Sequence, residues 1–186
     1  MTSEQVIEAA QRGCLAGEDG RREAVPRDGR RYEVVDGRLL VTGAQPPAHH
    51  AAVVALMIQL KQACPPDLLV AVSSLDFRPT RNVSLRPDLL VCRRSDAGPH
   101  LLQAPPLLTV EVLSPSTRTT DVVLKRTLYE QHRVPSYWLL DPTHHELTVL
   151  ELTDTGYACR AVIQAKETFQ ATTPFPITLT PSALTG

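Results

Sequence analysis

Residues 107–113 read Leu-Leu-Thr-Val-Glu-Val-Leu, an apolar stretch broken only by Thr109 and Glu111. A strand with no solvent face must be covered on both sides. Ser114-Pro115-Ser116-Thr117 follows, offering a turn and then a hydroxyl to cap a helix. From Arg118 to His132 the spacing is helical, with Val123, Leu124, Leu128 and Tyr129 near one face. Tyr137-Trp138-Leu139-Leu140 is a second all-apolar strand. Strand, helix and strand in that order predict a right-handed crossover between parallel strands, which places the chain in the α/β class.

The remaining elements fit around that unit. Tyr32–Val35 and Arg38–Val41 flank Asp36-Gly37, the dipeptide that suits a type I′ hairpin turn. From His49 to Ala63, Val53, Leu56, Met57 and Leu60 recur at helical spacing, and Pro65-Pro66 ends the helix. Leu69–Phe77 and Leu85–Cys92 read as strands, the second interrupted by Arg86-Pro87-Asp88. Leu147–Leu152 and Tyr157–Val162 form a late hairpin over Asp154-Thr155-Gly156. Thr2 and Gln5 stand at capping-box spacing and open a short helix ending near Gly13. The expected architecture is a mixed sheet of seven or so strands with two substantial helices. At 186 residues the simplest organisation is one domain. Its parts are an N-terminal helix and loop (1–30), a core (31–152) and a C-terminal hairpin and tail (153–186).

Composition narrows the function. Nineteen Lys and Arg against twenty Asp and Glu exclude a polybasic tail as the main means of holding nucleic acid, though not a local basic cleft. Three Phe, one Trp and four Tyr make a stacking platform for single strands a poor expectation. Cys14, Cys64, Cys92 and Cys159 form no C-x-x-C pair, which argues against a zinc ribbon or a thioredoxin-type site. The N-terminus carries no secretory pattern, and the longest apolar run, Ala51–Ile58, is too short for a membrane span. The expectation is a soluble cytoplasmic protein with no membrane partner.

Glu111 is the chemically unusual residue. A carboxylate in the middle of a buried apolar strand must be paired, protonated or metal-bound. A structural ion pair, with an arginine for example, and a metal site are both open. Asp88 lies 23 residues before Glu111, enough for a strand, a loop and an antiparallel return that sets the two side by side. Two carboxylates that close repel unless a cation sits between them. A hard divalent ion, Mg²⁺ or Mn²⁺, suits oxygen ligands. On the following helix Asp121, Lys125 and Tyr129 are spaced i, i+4, i+8. Lys125 could reach the carboxylates, or form an exposed pair with Asp121 that is worth little. Arg78, Arg81, Arg86, Arg93 and Arg94 cluster around Asp88, as a phosphate-binding edge or as a solvated rim.

Six segments together resemble a known family: Tyr32–Gly37, Pro46-Pro47 with His50, Arg86–Leu89, Val110–Thr117, Asp121 with Lys125 and Tyr129, and Val134–Pro142. In order and spacing they resemble the Uma-two family of restriction-endonuclease-like proteins, within the PD-(D/E)XK nuclease superfamily. The resemblance implies a restriction-endonuclease-like mixed sheet flanked by helices, with an N-terminal hairpin. It implies a Mg²⁺- or Mn²⁺-dependent endonuclease acting on DNA, with Glu33, Asp88, Glu111 and Lys125 as the catalytic set. Asp88, Glu111 and the Val112 carbonyl would hold the metal. His50, Asp121, Tyr129 and Arg86 would contact substrate or support the site. The superfamily's lysine normally lies two residues after the acid, where this chain has Leu113, so Lys125 supplies that charge from the next helix. A homodimer is one arrangement the resemblance allows. Two other readings stand beside it: a nuclease fold that has lost catalysis and binds nucleic acid or protein, and a plain α/β protein with a buried Glu111–Lys125 salt bridge.

Overall fold

The computed structural model describes residues 30–186 apart from residue 74, so the helix expected at Thr2–Gly13 and most of the 1–30 segment lie outside the described residues. The strands are β1 (Arg31–Val35), β2 (Arg38–Thr42), β3 (Leu68–Val72), β4 (Asp76–Thr80), β5 (Val83–Leu85), β6 (Leu89–Arg93), β7 (Leu101–Leu102), β8 (Leu108–Val112), β9 (Ser136–Asp141), β10 (Glu146–Thr153), β11 (Gly156–Gln164), β12 (Phe169–Ala171) and β13 (Ile177–Leu179). Helix α1 spans Pro47–Ala63; a π-helical segment, Thr120–Lys125, runs into α2 (Arg126–Gln131); α3 is Pro181–Thr185.

The single mixed sheet expected from sequence is instead two main sheets, one of six strands in the order β11-β10-β9-β8-β6-β3 and one of five in the order β2-β1-β5-β4-β7, with β12 and β13 forming a separate two-stranded pair. The cause lies at two breaks. Ser73, at φ 40°, divides the expected Leu69–Phe77 strand into β3 and β4. Arg86-Pro87-Asp88 divides the next run into β5 and β6, because proline has no N–H to give a ladder. Each break passes the chain from one sheet to the other. The Asp36-Gly37 turn forms as expected: both residues have positive φ, 48° and 74°, and Val35 pairs with Arg38 across it. The crossover also forms, with β8 and β9 parallel.

Alternation along β8 separates two cores. Leu108, Val110 and Val112 face Ala52, Val53, Leu56 and Leu60 of α1, in a cluster completed by Leu89, Val91, Trp138 and Leu140. The opposite face carries Glu111 in sequence alternation, and the cluster on that side joins Phe77 and Leu85 of the second sheet to Leu128, Tyr129, Tyr137 and Leu139. Burying a large apolar side chain gains about 1.5–3 kcal/mol, so the two clusters hold the sheet from both sides.

Asp141 ends β9. Its Oδ1 accepts the N–H groups of Thr143 (2.9 Å) and His144 (3.2 Å); its Oδ2 takes the His144 ring (2.8 Å) and Arg118. Burial works against ionisation here, yet the hydrogen bonds from Arg118 and His144 bring the carboxyl down from 3.8 to about 2. A depressed carboxyl stabilises the fold above its unfolded pKa and ceases to do so as pH falls through the folded value. Asp141→Asn should therefore cost about 1–2 kcal/mol at pH 7, discounted because Arg118 and His144 are half or more exposed. In urea melts the gap to the parent should close between pH 4 and pH 2. A gap unchanged at pH 2 would remove this assignment.

Candidate active site

The antiparallel pairing of β6 with β8 sets Leu89 against Val110 and Leu90 against Thr109. One step further in the same register, Asp88 stands across from Glu111. Both are buried, as are Glu33 on β1 and Asp121 and Lys125 on the π-helical segment. Lys125 is the hub: its Nζ lies 3.1 Å from Glu111 Oε1, 3.3 Å from Glu33 Oε2 and 3.3 Å from Asp121 Oδ1. Its side chain is 3% exposed, which removes the alternative of a solvated surface pair with Asp121. Tyr129 donates its hydroxyl to Glu111 Oε1 at 2.8 Å, and Tyr137 donates to the backbone carbonyl of Asp121 at 2.9 Å.

The π-helical turn explains how three residues at steps of four stay on one side. A four-residue step overshoots an α turn of about 3.6 residues and undershoots the wider π turn. The step from Asp121 to Lys125 falls in the π segment and the step from Lys125 to Tyr129 falls mainly in α2. The two deviations oppose, and all three side chains point at the sheet. Val123 and Leu124, between them, are 60% and 36% exposed.

Two residues that the sequence reading did not place complete the cluster. Arg31 binds Asp88 Oδ1 through Nη2, and its Nη1 is 3.7 Å from Glu111 Oε2. Its signal was the strand alternation that puts Arg31 on the face of Glu33. His49 Nε2 is 3.0 Å from Asp88 Oδ2, which also accepts the Val112 N–H at 2.8 Å. His50, one residue on, is exposed on α1, whereas His49 is buried, so it is His49 that reaches Asp88. His49 continues the inward stripe of Ala52, Val53, Leu56 and Leu60, so helical spacing favoured it. Arg86 supports the site through its backbone. Its N–H donates to Glu33 Oε1 at 2.8 Å, while its guanidinium is tied to Asp76 at 2.6 and 3.1 Å. Of the other arginines near Asp88, Arg94 binds the carbonyls of Pro66 and Leu68.

The acids are not alike electrically. Burial raises Asp88, but the His49 hydrogen bond and the Arg31 charge outweigh it and hold the carboxyl far below the usual range. Burial raises Glu111 well above its ordinary value, with Lys125 opposing. Asp121 is raised by burial in the same way. For Lys125, burial would lower the pKa, and Glu111, Glu33 and Asp121 more than reverse it, so the ammonium stays charged. Burial beside Glu111 raises Tyr129, which therefore stays a donor. Four carboxylates face two permanent cations, a formal deficit that a divalent cation would neutralise.

Among the described residues no three His, Cys, Asp or Glu side chains form a ready metal-ligand group. Glu111 Oε2 is nevertheless buried without a hydrogen bond, and Asp88 Oδ1 is bonded only by Arg31 among the hydrogen bonds described. Hard carboxylate oxygens of this kind could hold Mg²⁺ or Mn²⁺, and the Arg31 guanidinium lies between these two.

A family model described as a putative restriction endonuclease, Uma2, matches residues 21–185. The chain belongs to the Uma2 (Uma-two) family. Its function is accordingly of the nuclease type. A crystal structure of a putative nuclease belonging to DUF820 from Anabaena variabilis ATCC 29413 has the same fold, with a TM-score of 0.67 at 18% identity over 86% of this chain and 92% of that one. No curated protein matches this chain. The Uma2 match spans both sheets and every residue of the carboxylate–lysine cluster. None of this Uma2 protein's described helices is long and apolar enough to cross a membrane.

Proposed function

We propose that this chain is a metal-dependent endonuclease that hydrolyses DNA phosphodiester bonds. The observation that carries the reading is the convergence of Glu33, Asp88, Glu111 and Lys125 on one buried site in a member of a restriction-endonuclease family. Asp88 and Glu111 would hold Mg²⁺ or Mn²⁺, with the Val112 carbonyl as a further ligand. Such an ion lowers the pKa of its bound water and polarises the phosphate. The protein's part is preorganisation. Lys125 and Tyr129 saturate Glu111 Oε1 and leave Oε2 free of hydrogen bonds. Glu33 and Asp121 hold the Lys125 ammonium in place, and the backbone N–H of Arg86 holds Glu33. Val112 N–H and His49 hold Asp88 Oδ2, which keeps Oδ1 on the side of Glu111. Lys125 stabilises developing charge at the site through this fixed network.

One observation favours a second reading, a nuclease fold that binds without cutting: Arg31 already pairs with both metal-site acids. A plasmid assay separates the two. The purified chain should nick supercoiled DNA in Mg²⁺ or Mn²⁺ and stop in chelator, with an identically purified Glu111→Gln protein as the blank. DNA binding without nicking in either ion would decide for the second reading.

A further inference from the structure

We infer that Arg31 is a resident counter-ion that competes with the divalent metal for Asp88 Oδ1 and Glu111 Oε2, so that the metal loads only as the guanidinium swings out. The inference rests on the metal-site reading above and concerns what controls it. Three observations carry it. The guanidinium touches the two oxygens that the metal would need, binding one and lying 3.7 Å from the other. The two cations of the cluster differ in freedom. Lys125 is enclosed by three acids at 3% exposure, whereas the Arg31 side chain is 16% exposed and starts from the first residue of β1. Finally, Glu111 Oε2 receives no hydrogen bond. Arg31 holds it by charge at a distance, the weaker of its two attachments.

Displacing one cation by another conserves the pairing of the acids. Removing Arg31 altogether leaves Asp88 and Glu111 facing each other with only Lys125 and His49 nearby, which raises the demand for metal. Calorimetric titration with Mn²⁺ alone tests this on the full chain. Arg31→Met should bind Mn²⁺ about tenfold or more tightly than the parent, the scale of one neighbouring charge. Arg31→Lys keeps the charge on a single donor point and should fall between them. Without metal, Arg31→Met should melt lower than the parent, and Mn²⁺ should raise its melting temperature more. Arg31→Met and Arg31→Lys affinities equal to or weaker than the parent's would overturn the inference while leaving the acids as metal ligands. Absence of Mn²⁺ binding in parent and variants alike would overturn the metal-site reading and this inference with it.

Discussion

Lys125→Met is expected to destabilise the metal-free protein by about 3–5 kcal/mol, the usual cost of removing one partner from a buried charge network. The long methionine stem preserves packing, which would suggest a mild change at a solvated site. The burial of Lys125 among Glu33, Glu111 and Asp121 decides otherwise. Among the ion pairs described for those acids, Glu111 alone has a second cation, Arg31 at 3.7 Å. Glu111 and Asp121 already have raised pKa values, and losing the ammonium raises them further. An acid whose folded pKa is raised loses stability as pH rises toward that value. Urea melts should therefore show the deficit largest at pH 8 and smaller near pH 5. Cleavage, compared where both proteins are folded, should fall by roughly 10²–10³-fold. A loss below about 1 kcal/mol, the range of surface pairs, would mean that the ammonium is solvated.

Glu111→Gln should behave in the opposite way, although it removes the other half of the same contact. Lys125 keeps Glu33 and Asp121, Arg31 keeps Asp88, and the cluster sheds one of its excess negative charges. The Gln carbonyl can still accept from Lys125 and Tyr129. Metal-free Glu111→Gln should be as stable as the parent or more so at pH 8, with the advantage vanishing below pH 4.5, where the parent's carboxyl is protonated in both folded and unfolded states. Mn²⁺ should raise the melting temperature of the parent and not of the variant. Plasmid cleavage should fall by about 10³-fold or more, as expected when a metal ligand goes. A metal-free loss at pH 8 as large as that of Lys125→Met would show Glu111 to be simply one end of a structural salt bridge. The pair is coupled, so Lys125→Met/Glu111→Gln should cost less than the sum of the singles.

Much of the site was legible in sequence because it rests on two local periods. Strand alternation put Glu111 on the face away from α1, and the four-residue steps put Asp121, Lys125 and Tyr129 together. The Asp36-Gly37 turn was legible because few other dipeptides accept positive φ at both positions. What escaped depended on contacts between distant segments. Strand alternation puts Arg31 on the face of Glu33, but nothing local names Asp88, 57 residues away, as its partner, and nothing local to β4 or β5 says that they leave the main sheet. His49 was missed for a different reason. The family resemblance points to His50, one residue on, although the stripe of Ala52, Val53, Leu56 and Leu60 continues through His49. The π-helical turn likewise comes from the demand that Asp121 and Lys125 both reach the acids, which propensity does not encode.

The way the acids are delivered to the site also determines where the chain tolerates changes of length. Asp88 and Glu111 meet through strand register, and the chain between them runs through exposed Gln103 and Pro105. Residues added there lengthen a connection and leave the pairing of β6 with β8 untouched. A single residue added within β8 before Glu111 would turn its carboxylate to the α1 side and bring an apolar side chain in its place. One added between Asp121 and Lys125 would rotate the ammonium away from all three of its acids. Among natural sequences of this type, length should thus vary in the connection around Gln103 and Pro105 and not within β6 or β8, while the interval from Asp121 to Tyr129 should stay constant to the residue.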